Sequence, residues 1–500
     1  MQSDISLTTT ERRSLSNICD DLHANPFSDM RISVDRKIAD FPSNATYTER
    51  YAKLVEAVNG VVNGLVAAGK GNIGLLEGKE RALVEEVFVY HVYNQFYLQF
   101  DPLIKKQIAE GDTVCSIPFA DDAIAMLVRF GFSPDDALHF FAVYFQLRRA
   151  YYFIMHGIIG RSSCMQGLRE SLWNNVVTGD PVLYVRKLWN RMEDYSTLLL
   201  GETGSGKGIS ARAIGQSGYI PFDRKKGCFA ESFTRAFTSL NLSQFPEQLI
   251  ESELFGHTKG SFTGAVADHD GALSRCSRYG AIFLDEIGEV SVPVQIKLLH
   301  VLEERTYAPV GSHEKKRFPG RIIAATNQPL DKLRMDQALR DDFYYRLCSD
   351  VILVPPLRQR IREEPLELED LVTHTVGRIV GDDSADVALR VIEEIRTQVP
   401  ADYAWPGNVR ELEQCIRRML LKRSYEIDRV ATRPGDIEGR IIAGLREGSM
   451  DAQQLLSHYC SLLYERHNSY EEVARKTALD RRTVKKYIDQ WYQNSGRKAD

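Results

Sequence analysis

Two stretches of the chain carry residue types suited to handling a nucleoside triphosphate. Thr197-Leu-Leu-Leu-Gly-Glu-Thr-Gly-Ser-Gly-Lys207 runs from an apolar segment into a glycine-rich turn that ends on a lysine. In such a turn Gly201, Gly204 and Gly206 let backbone N–H groups converge on phosphate oxygens. Glu202, Thr203 and Ser205 sit between the glycines, and Lys207 reaches the terminal phosphates. The next residue is Gly208, at a position where this kind of motif commonly offers magnesium a hydroxyl. Ala281-Ile-Phe-Leu-Asp285-Glu286 is the second stretch: an apolar strand delivering two carboxylates at its C-terminal end. Asp285 would hold the water shell of a Mg²⁺ ion, with no help from Gly208, and Glu286 would polarise the water that attacks ATP.

Further residues could complete that chemistry. Ile322-Ile-Ala-Ala-Thr326-Asn327 is a third apolar run with a polar end. Asn327 there either senses a terminal phosphate or simply forms a turn. Arg340 and Arg346 lie six apart. They are either surface charges or groups that reach a neighbouring subunit's site, a role worth roughly 10³–10⁵ in rate. Tyr403-Ala-Trp-Pro-Gly-Asn-Val-Arg410 places Arg410 in the first turn of a helix that Asn408 is expected to cap. A base there opposes the helix dipole, so an anionic partner is expected, and nucleotide phosphate is the candidate.

Between the glycine-rich turn and the acidic strand lies Glu251-Ser-Glu-Leu-Phe-Gly-His-Thr-Lys-Gly-Ser-Phe-Thr-Gly-Ala265. Phosphate chemistry needs no loop here. Phe262 and Thr263 stand between Gly260 and Gly264, on a turn free to project both side chains. An aromatic tip on an ATPase loop is suited to pushing on another molecule.

The elements that must position these groups follow from periodicity. Short apolar runs alternating with helical stretches between 157 and 355 predict a parallel sheet with helices on both faces. Residues 1–155 read as a helical N-terminal regulatory domain. Tyr51, Leu54, Val58, Val61, Val62, Leu65 and Val66 recur at helical spacing. Ser133-Pro134-Asp135-Asp136 opens a helix rich in Phe and Tyr. Aromatic residues over 82–156 either line a ligand pocket or form plain core or dimer contacts. The expected order is 1–155, an α/β ATPase subdomain over 156–355, a helical lid over 356–432, a linker over 433–450 and a small all-α module over 451–500.

Bulk properties narrow the class. A chain of 500 residues exceeds one core. The net charge of −5 confines any DNA contact to a local patch. Eight cysteines without a CxxC pair fit reduced thiols in a cytoplasmic protein. No signal core or membrane-length apolar run is found.

Together these motifs resemble the bacterial enhancer-binding proteins, AAA+ ATPases that activate sigma-54 RNA polymerase. The resemblance covers roughly 157–425. It rests on Ile158–Ser162 with Met165, Gly201–Lys207, Glu253–His257, Gly260–Ala265, Asp285-Glu286, Gln295–Leu299, Val310-Gly311, Ala324–Asn327, Tyr344–Leu347 and Trp405–Leu412. It implies that Gly260, Ser261, Phe262, Thr263, Gly264 and Ala265 contact sigma-54, with Phe262 and Thr263 foremost. It makes Asn241 a switch residue holding Glu286. It makes Arg340 and Arg346 trans-acting fingers in a homo-oligomer, usually a hexameric ring and a dimer when inactive. The family commonly has Ala at the position of Ser261 and Glu at that of Gly208. Against the family, segments 170–195 and 215–235 look longer than usual, which implies surface insertions near subunit contacts.

Ser469–Tyr487 reads as a helix-turn-helix similar to the Fis-type terminal domain of that family. Val473, Leu479, Val484 and Tyr487 would face inward, and Asp480 would cap the second helix. Arg481, Arg482, Lys485 and Lys486 would meet DNA phosphates, with Arg482 or Thr483 reading bases. The resemblance thus implies a sigma-54-dependent transcription activator. It would bind enhancer-like DNA upstream of a promoter and use ATP and Mg²⁺ to remodel the closed complex of sigma-54 RNA polymerase holoenzyme into the open one.

Overall fold

The computed structural model describes residues 6–335, 338–381, 383–423, 437, 441, 444–445 and 450–495. The expected linker, 433–450, and the expected end of the lid lie almost wholly outside them. The chain divides into two compact units, 1–424 and 425–500. Among the described residues no helix is long and apolar enough to cross a membrane.

The first unit is built on a five-stranded parallel sheet. Its strands are β1 (Thr197–Leu200), β2 (Phe237–Asn241), β3 (Ala281–Asp285), β4 (Arg321–Thr326) and β5 (Asp350–Leu353). They lie in the order β2-β3-β4-β1-β5. Near-continuous apolar runs form these strands because helices cover both faces. Alternate residues then feed two separate cores. Leu198, Leu284, Ile322 and Ala324 face the helices Val292–Glu304 and Glu247–Phe255. Leu199, Phe283, Ile323 and Ala325 face the helices Ser163–Val177 and Lys207–Gly215. Register does the positioning that function needs. Leu200 stands beside Thr326, and Asn241 beside Asp285. The strand ends carrying the phosphate loop, both carboxylates, Asn241 and Asn327 therefore reach one edge of the sheet. After β5 come the helices Leu357–Glu363, Glu367–Val380, Ala385–Gln398 and Asn408–Lys422, the last preceded by the expected break at Trp405-Pro406-Gly407.

Among the described residues six α-helices lie between Thr9 and Gly157, the last of them Pro134–Gly157. Ser133 caps this last helix, accepting the Asp136 N–H at 3.1 Å. It takes part in two cores. Phe141, Tyr144 and Phe145 pack among the N-terminal helices, while Ala150 and Ile154 pack against the sheet-side helices.

Residues 215–235 are not a surface insertion. Ile220, Phe222, Phe229 and Phe233 are buried in the N-terminal core. Phe229 stacks on Phe145 at 4.1 Å, and Phe222 meets Phe141 edge-on at 5.0 Å. The expectation failed because the hairpin's apolar residues find their partners more than seventy positions earlier, a separation that local patterning does not register. Segment 170–195 likewise contributes Leu172, Val176, Val177 and Tyr184 to the sheet-side core.

The same helix grips the phosphate-loop helix from behind. Arg149 is fully buried. Its guanidinium donates to Gln216 O at 2.7 Å and Gly218 O at 2.6 Å, and lies 4.5 Å from the Phe145 ring centroid. Gln146 donates to Ser217 O at 3.0 Å. Carbonyls left over at a helix C-terminus favour a cation in this way. Burial still pushes the Arg149 pKa down to about 9.

Over 450–495 the described residues of the second unit form a bundle of the helices Ala452–His467, Tyr470–Thr477 and Arg481–Ser495. Cys460, Leu463, Val473, Val484 and Ile488 form its core, with Leu479 and Tyr487 packed partly buried against it. Ala478 takes φ 55° in the turn, the left-handed region where glycine is at ease.

A fragment starting at residue 156 removes Arg149 and uncovers Phe222, Phe229 and Phe233. We expect it to aggregate or to melt well below the full chain. Thermal denaturation of the two checks this, and equal melting temperatures would contradict the shared core.

Candidate nucleotide site and projecting loop

The glycine-rich turn is held open by close backbone approach. Gly204 has φ 78°, and a Cβ there would lie 2.3 Å from Gly407 O. Lys207 is mostly buried and donates to Gly201 O at 2.8 Å and Glu202 O at 3.2 Å. Burial lowers the Lys207 pKa, opposed by the nearby charges of Glu286 and Asp285.

Asp285 and Glu286 stand at the end of β3. Glu286 adopts φ 59°, a left-handed conformation that costs a non-glycine residue about 1–3 kcal/mol and marks sites where position matters more than comfort. Burial raises the Glu286 pKa, Lys207 counteracts this, and the adjacent Asp285 adds to the rise. Asn241 donates its amide to Asp285 at 3.4 Å, not to Glu286, because parallel register sets it directly beside Asp285. Its amide oxygen accepts from the N–H and hydroxyl of Ser243. Asn327 donates to the Thr203 hydroxyl at 3.0 Å and so ties the end of β4 to the phosphate loop.

Asn408 does not cap its helix. Gly407 is the N-cap residue, and Asn408 sits at φ 54° with its side chain fully buried. The Asn408 amide bridges elements instead. It donates to Thr203 O at 3.1 Å and Glu202 at 3.2 Å, and accepts from Leu357 N–H at 2.8 Å. Glu202 also takes a two-pronged ion pair from Arg358, at 2.7 and 2.5 Å, which pulls its pKa down. Val409 N–H reaches Gly204 O at 3.1 Å. The four-helix segment after β5 is thus clasped to the phosphate loop.

A cleft of about 470 Å³ runs between these parts. Thr203–Ser210, Asn241, Asp285 and Glu286 line it, together with Ile158, Ile159 and, from the helices after β5, Leu371, His374 and Arg410. The Ile158–Ser162 segment is pinned there by a buried pair. Arg360 bonds Glu367 at 2.7 Å and Ile159 O at 2.6 Å, and Glu367 accepts from Arg161 and Ser162 N–H. Gly160 fits because a Cβ would lie 2.0 Å from the Glu367 carboxylate. Arg340 and Arg346 are exposed and do not line this cleft. Arg340 pairs with Asp342 at 2.7 Å.

The loop at 260–265 is braced at its base. Gly260 N–H donates to Ala265 O at 2.8 Å, Ser261 N–H to Thr258 O at 3.1 Å, and Thr258 N–H to Val310 O at 3.0 Å. Ala265 is buried, whereas Phe262 is 38% exposed and Thr263 is also exposed. The Phe262 ring leans on His257 at 4.9 Å. Ser261 packs against Gly311, where a Cβ would lie 2.5 Å from that of Ser261. Its hydroxyl is buried without a hydrogen-bond partner among the described residues.

Residues 183–352, which hold the phosphate loop, the carboxylates and the projecting loop, match the family model described as the sigma-54 interaction domain. The central domain is similar to those of the bacterial enhancer-binding sigma-54 activators. Its relatives include the Nif-specific regulatory protein of Bradyrhizobium diazoefficiens, 38% identical over 263 residues that cover 53% of this chain and 39% of that protein. NtrC of Azospirillum brasilense is 35% identical over 270 residues, 54% of this chain and 49% of that protein. The chain thus spans about half or less of the length of these relatives. The NtrX structure from Brucella abortus in complex with ATP aligns over 76% of this chain and 81% of its own, at 20% identity and a TM-score of 0.39.

Within the sigma-54 interaction domain and the helices after it, the structure gathers the sequence-predicted residues Gly201–Gly208, Asn241, Asp285, Glu286, Asn327 and Arg410 around one edge of the sheet. It leaves Arg340, Arg346 and the 260–265 loop outside the cleft. Sequence reasoning missed Arg358, Arg360 and Glu367, whose roles carry no local signature because Glu202, Ile159, Arg161 and Ser162, which they hold, lie 156 to 206 residues away. The domain's own loop gives a direct test. Ser261→Ala removes an unsatisfied buried hydroxyl, a group that costs about 1–3 kcal/mol when left unpaired. We expect the variant to be as stable as the parent or up to ~1 kcal/mol more stable, as read by denaturant unfolding.

Proposed function

We propose that this chain is a sigma-54-dependent transcription activator whose ring hydrolyses ATP and pushes the 260–265 loop into sigma-54. One observation carries the reading. A braced loop with an exposed Phe-Thr tip belongs to the same domain as a phosphate loop and two sheet-edge carboxylates. The backbone amides of 201–207 and Lys207 would hold the ATP phosphates, with Arg410 approaching from the lid. The carboxylate of Asp285 suits a hard divalent cation, and Gly208 offers no hydroxyl, so Mg²⁺ would be held by Asp285 through water. The metal would neutralise charge on the transferring phosphate. Glu286 would accept the proton of the attacking water. Asn241, bonded to Asp285, and Asn327, bonded to Thr203, are placed to report the state of the terminal phosphate. Arg340 and Arg346, exposed and outside their own cleft, are available to a neighbouring subunit's site, which supports a homo-oligomer, hexameric in the family this domain resembles.

The C-terminal bundle is the DNA reader in this proposal, a helix-turn-helix. Asp480 caps its last helix, accepting Arg482 and Thr483 N–H at 3.0 Å each. Arg482, Lys485 and Lys486 are exposed on that helix, while Arg481 pairs with Glu471 at 3.0 Å. The first three would contact phosphates directly and Thr483 or Arg482 would meet base edges. Arg481 would have to exchange Glu471 for DNA. The N-terminal helices would carry the regulatory input.

The full chain, mixed with sigma-54 and an ATP transition-state analogue, is expected to co-migrate with sigma-54. Phe262→Ala should keep ATPase activity and lose the complex. ATP hydrolysis without any sigma-54 complex would refute the proposal. The pH dependence gives a second check. Glu286 must be ionised to act as a base, and its pKa is raised, so activity falls on the acid side at a pH above that of an ordinary glutamate. An acid limb at an ordinary carboxylate pKa would contradict a role for Glu286.

A further inference from the structure

A second cleft, of about 750 Å³ and open to solvent, lies where β3 and β4 begin, at Ala281 and Arg321. It also borders Ser217 and Gly218, just past the C-terminus of the phosphate-loop helix. The phosphate loop and Asp285 stand at the opposite ends of these elements, and the two clefts share no lining residue.

One group bordering this cleft is a buried acceptor without a donor. Gln146 is 1% exposed, and its Nε2 spends both hydrogens, on the Tyr184 hydroxyl at 2.5 Å and on Ser217 O at 3.0 Å. Its Oε1 meets no donor among the described residues. Tyr184 is buried as well, borders the same cleft and, having accepted from Gln146, keeps its own proton to donate. An oxygen short of a donor thus stands beside a hydroxyl short of an acceptor. Native interiors seldom leave such groups unsatisfied.

Ring faces and positive charge make up much of the remaining border. Trp189, Tyr219 and Tyr279 are half-buried, and Trp189 meets Tyr219 at 4.4 Å. Arg278 is exposed, lies 5.1 Å from the Tyr279 ring centroid and has no carboxylate partner among the described residues. Arg321 is buried and bonded to neutral acceptors, Tyr195 O at 2.7 Å, Asn175 and the Thr197 hydroxyl. Glu193 is the one carboxylate among the lining residues, and Arg317 pairs with it at 3.5 Å. The border is therefore net cationic.

We propose that this cleft binds a nucleoside monophosphate. A simple aromatic acid could use the rings and Arg278, but it would leave Gln146 and Tyr184 unsatisfied. A nucleobase presents a donor beside an acceptor on its pairing edge, which supplies what those two groups lack, and its faces stack on aromatic side chains. The phosphate suits the free guanidinium of Arg278. The volume falls in the range of small-molecule sites, about 300–1,000 Å³.

The test is calorimetric titration of the full chain with AMP and GMP, against adenosine, guanosine and ribose 5-phosphate. At least one nucleotide is expected to bind, with its nucleoside and ribose 5-phosphate weaker by about tenfold or more. Arg278→Ala changes an exposed side chain and should weaken the nucleotide to the level of its nucleoside. Nucleotide should also change tryptophan emission in the parent and in Lys207→Ala, but not in Trp189→Phe. Failure of both nucleotides to bind would overturn the proposal. So would affinity undiminished in Arg278→Ala, or a nucleoside that binds as well as its nucleotide. An emission change kept in full without Trp189, or lost in Lys207→Ala, would assign the nucleotide to the phosphate-loop cleft instead and equally overturn it. These readouts are binding alone, so the result is independent of whether the chain hydrolyses ATP.

Discussion

The arrangement depends on one buried cation. Arg149 enters the interior without a carboxylate partner among the described residues. A charge so placed is strongly disfavoured unless fixed dipoles replace water. Here the dipoles are the carbonyls of Gln216 and Gly218, just past the C-terminus of the helix that begins at Lys207. The guanidinium can stay charged only while that helix end keeps its place. The helix end in turn fixes the N-terminal turn, where phosphate would bind. The cost of losing these partners couples the backbone behind the cleft to a helix from the first third of the chain.

At the other end of the same helix the constraint is crowding of a different kind. Asp285, Glu286 and Glu202 bring three carboxylates near one loop, balanced by Lys207 and Arg358. Asn408, Glu202 and Arg358 form a clasp in which each hydrogen-bonding group has a partner on another element. The cleft is shaped by these polar contacts more than by apolar packing. A small rotation of the helices after β5 would therefore break specific bonds to Thr203 and Glu202, so the placement of these helices and phosphate-loop geometry are mechanically linked.

Much of this was legible in the sequence. The glycine-rich turn, the Asp285-Glu286 strand end and the Phe262 loop are local patterns, with a physical meaning contained in a dozen residues. The parallel sheet followed from short apolar runs, and the Ser133 cap from four consecutive residues. What escaped was long-range. The hairpin at 219–233 looks like an insertion until Phe141 and Phe145 are seen to cover it. Asn408 looks like a cap until its backbone is found to be left-handed and its amide already committed to Thr203 and Leu357. Asn241 meets Asp285 because of strand register, a property of two segments together. Arg149 reads as an interruption in an aromatic helix, since nothing nearby reveals the carbonyls it serves.

The helix Pro134–Gly157 belongs to two cores at once, and this bears on how such a protein could be recombined during evolution. A new N-terminal region cannot be exchanged by a crossover near residue 155, because the rod would be cut between its two sets of partners. An inherited exchange would have to carry the 215–235 segment along with the helix, although the phosphate loop lies between them in the gene. The N-terminal helices and the sheet-based region in this lineage are therefore expected to descend as one unit, each accumulating changes that only the other can compensate.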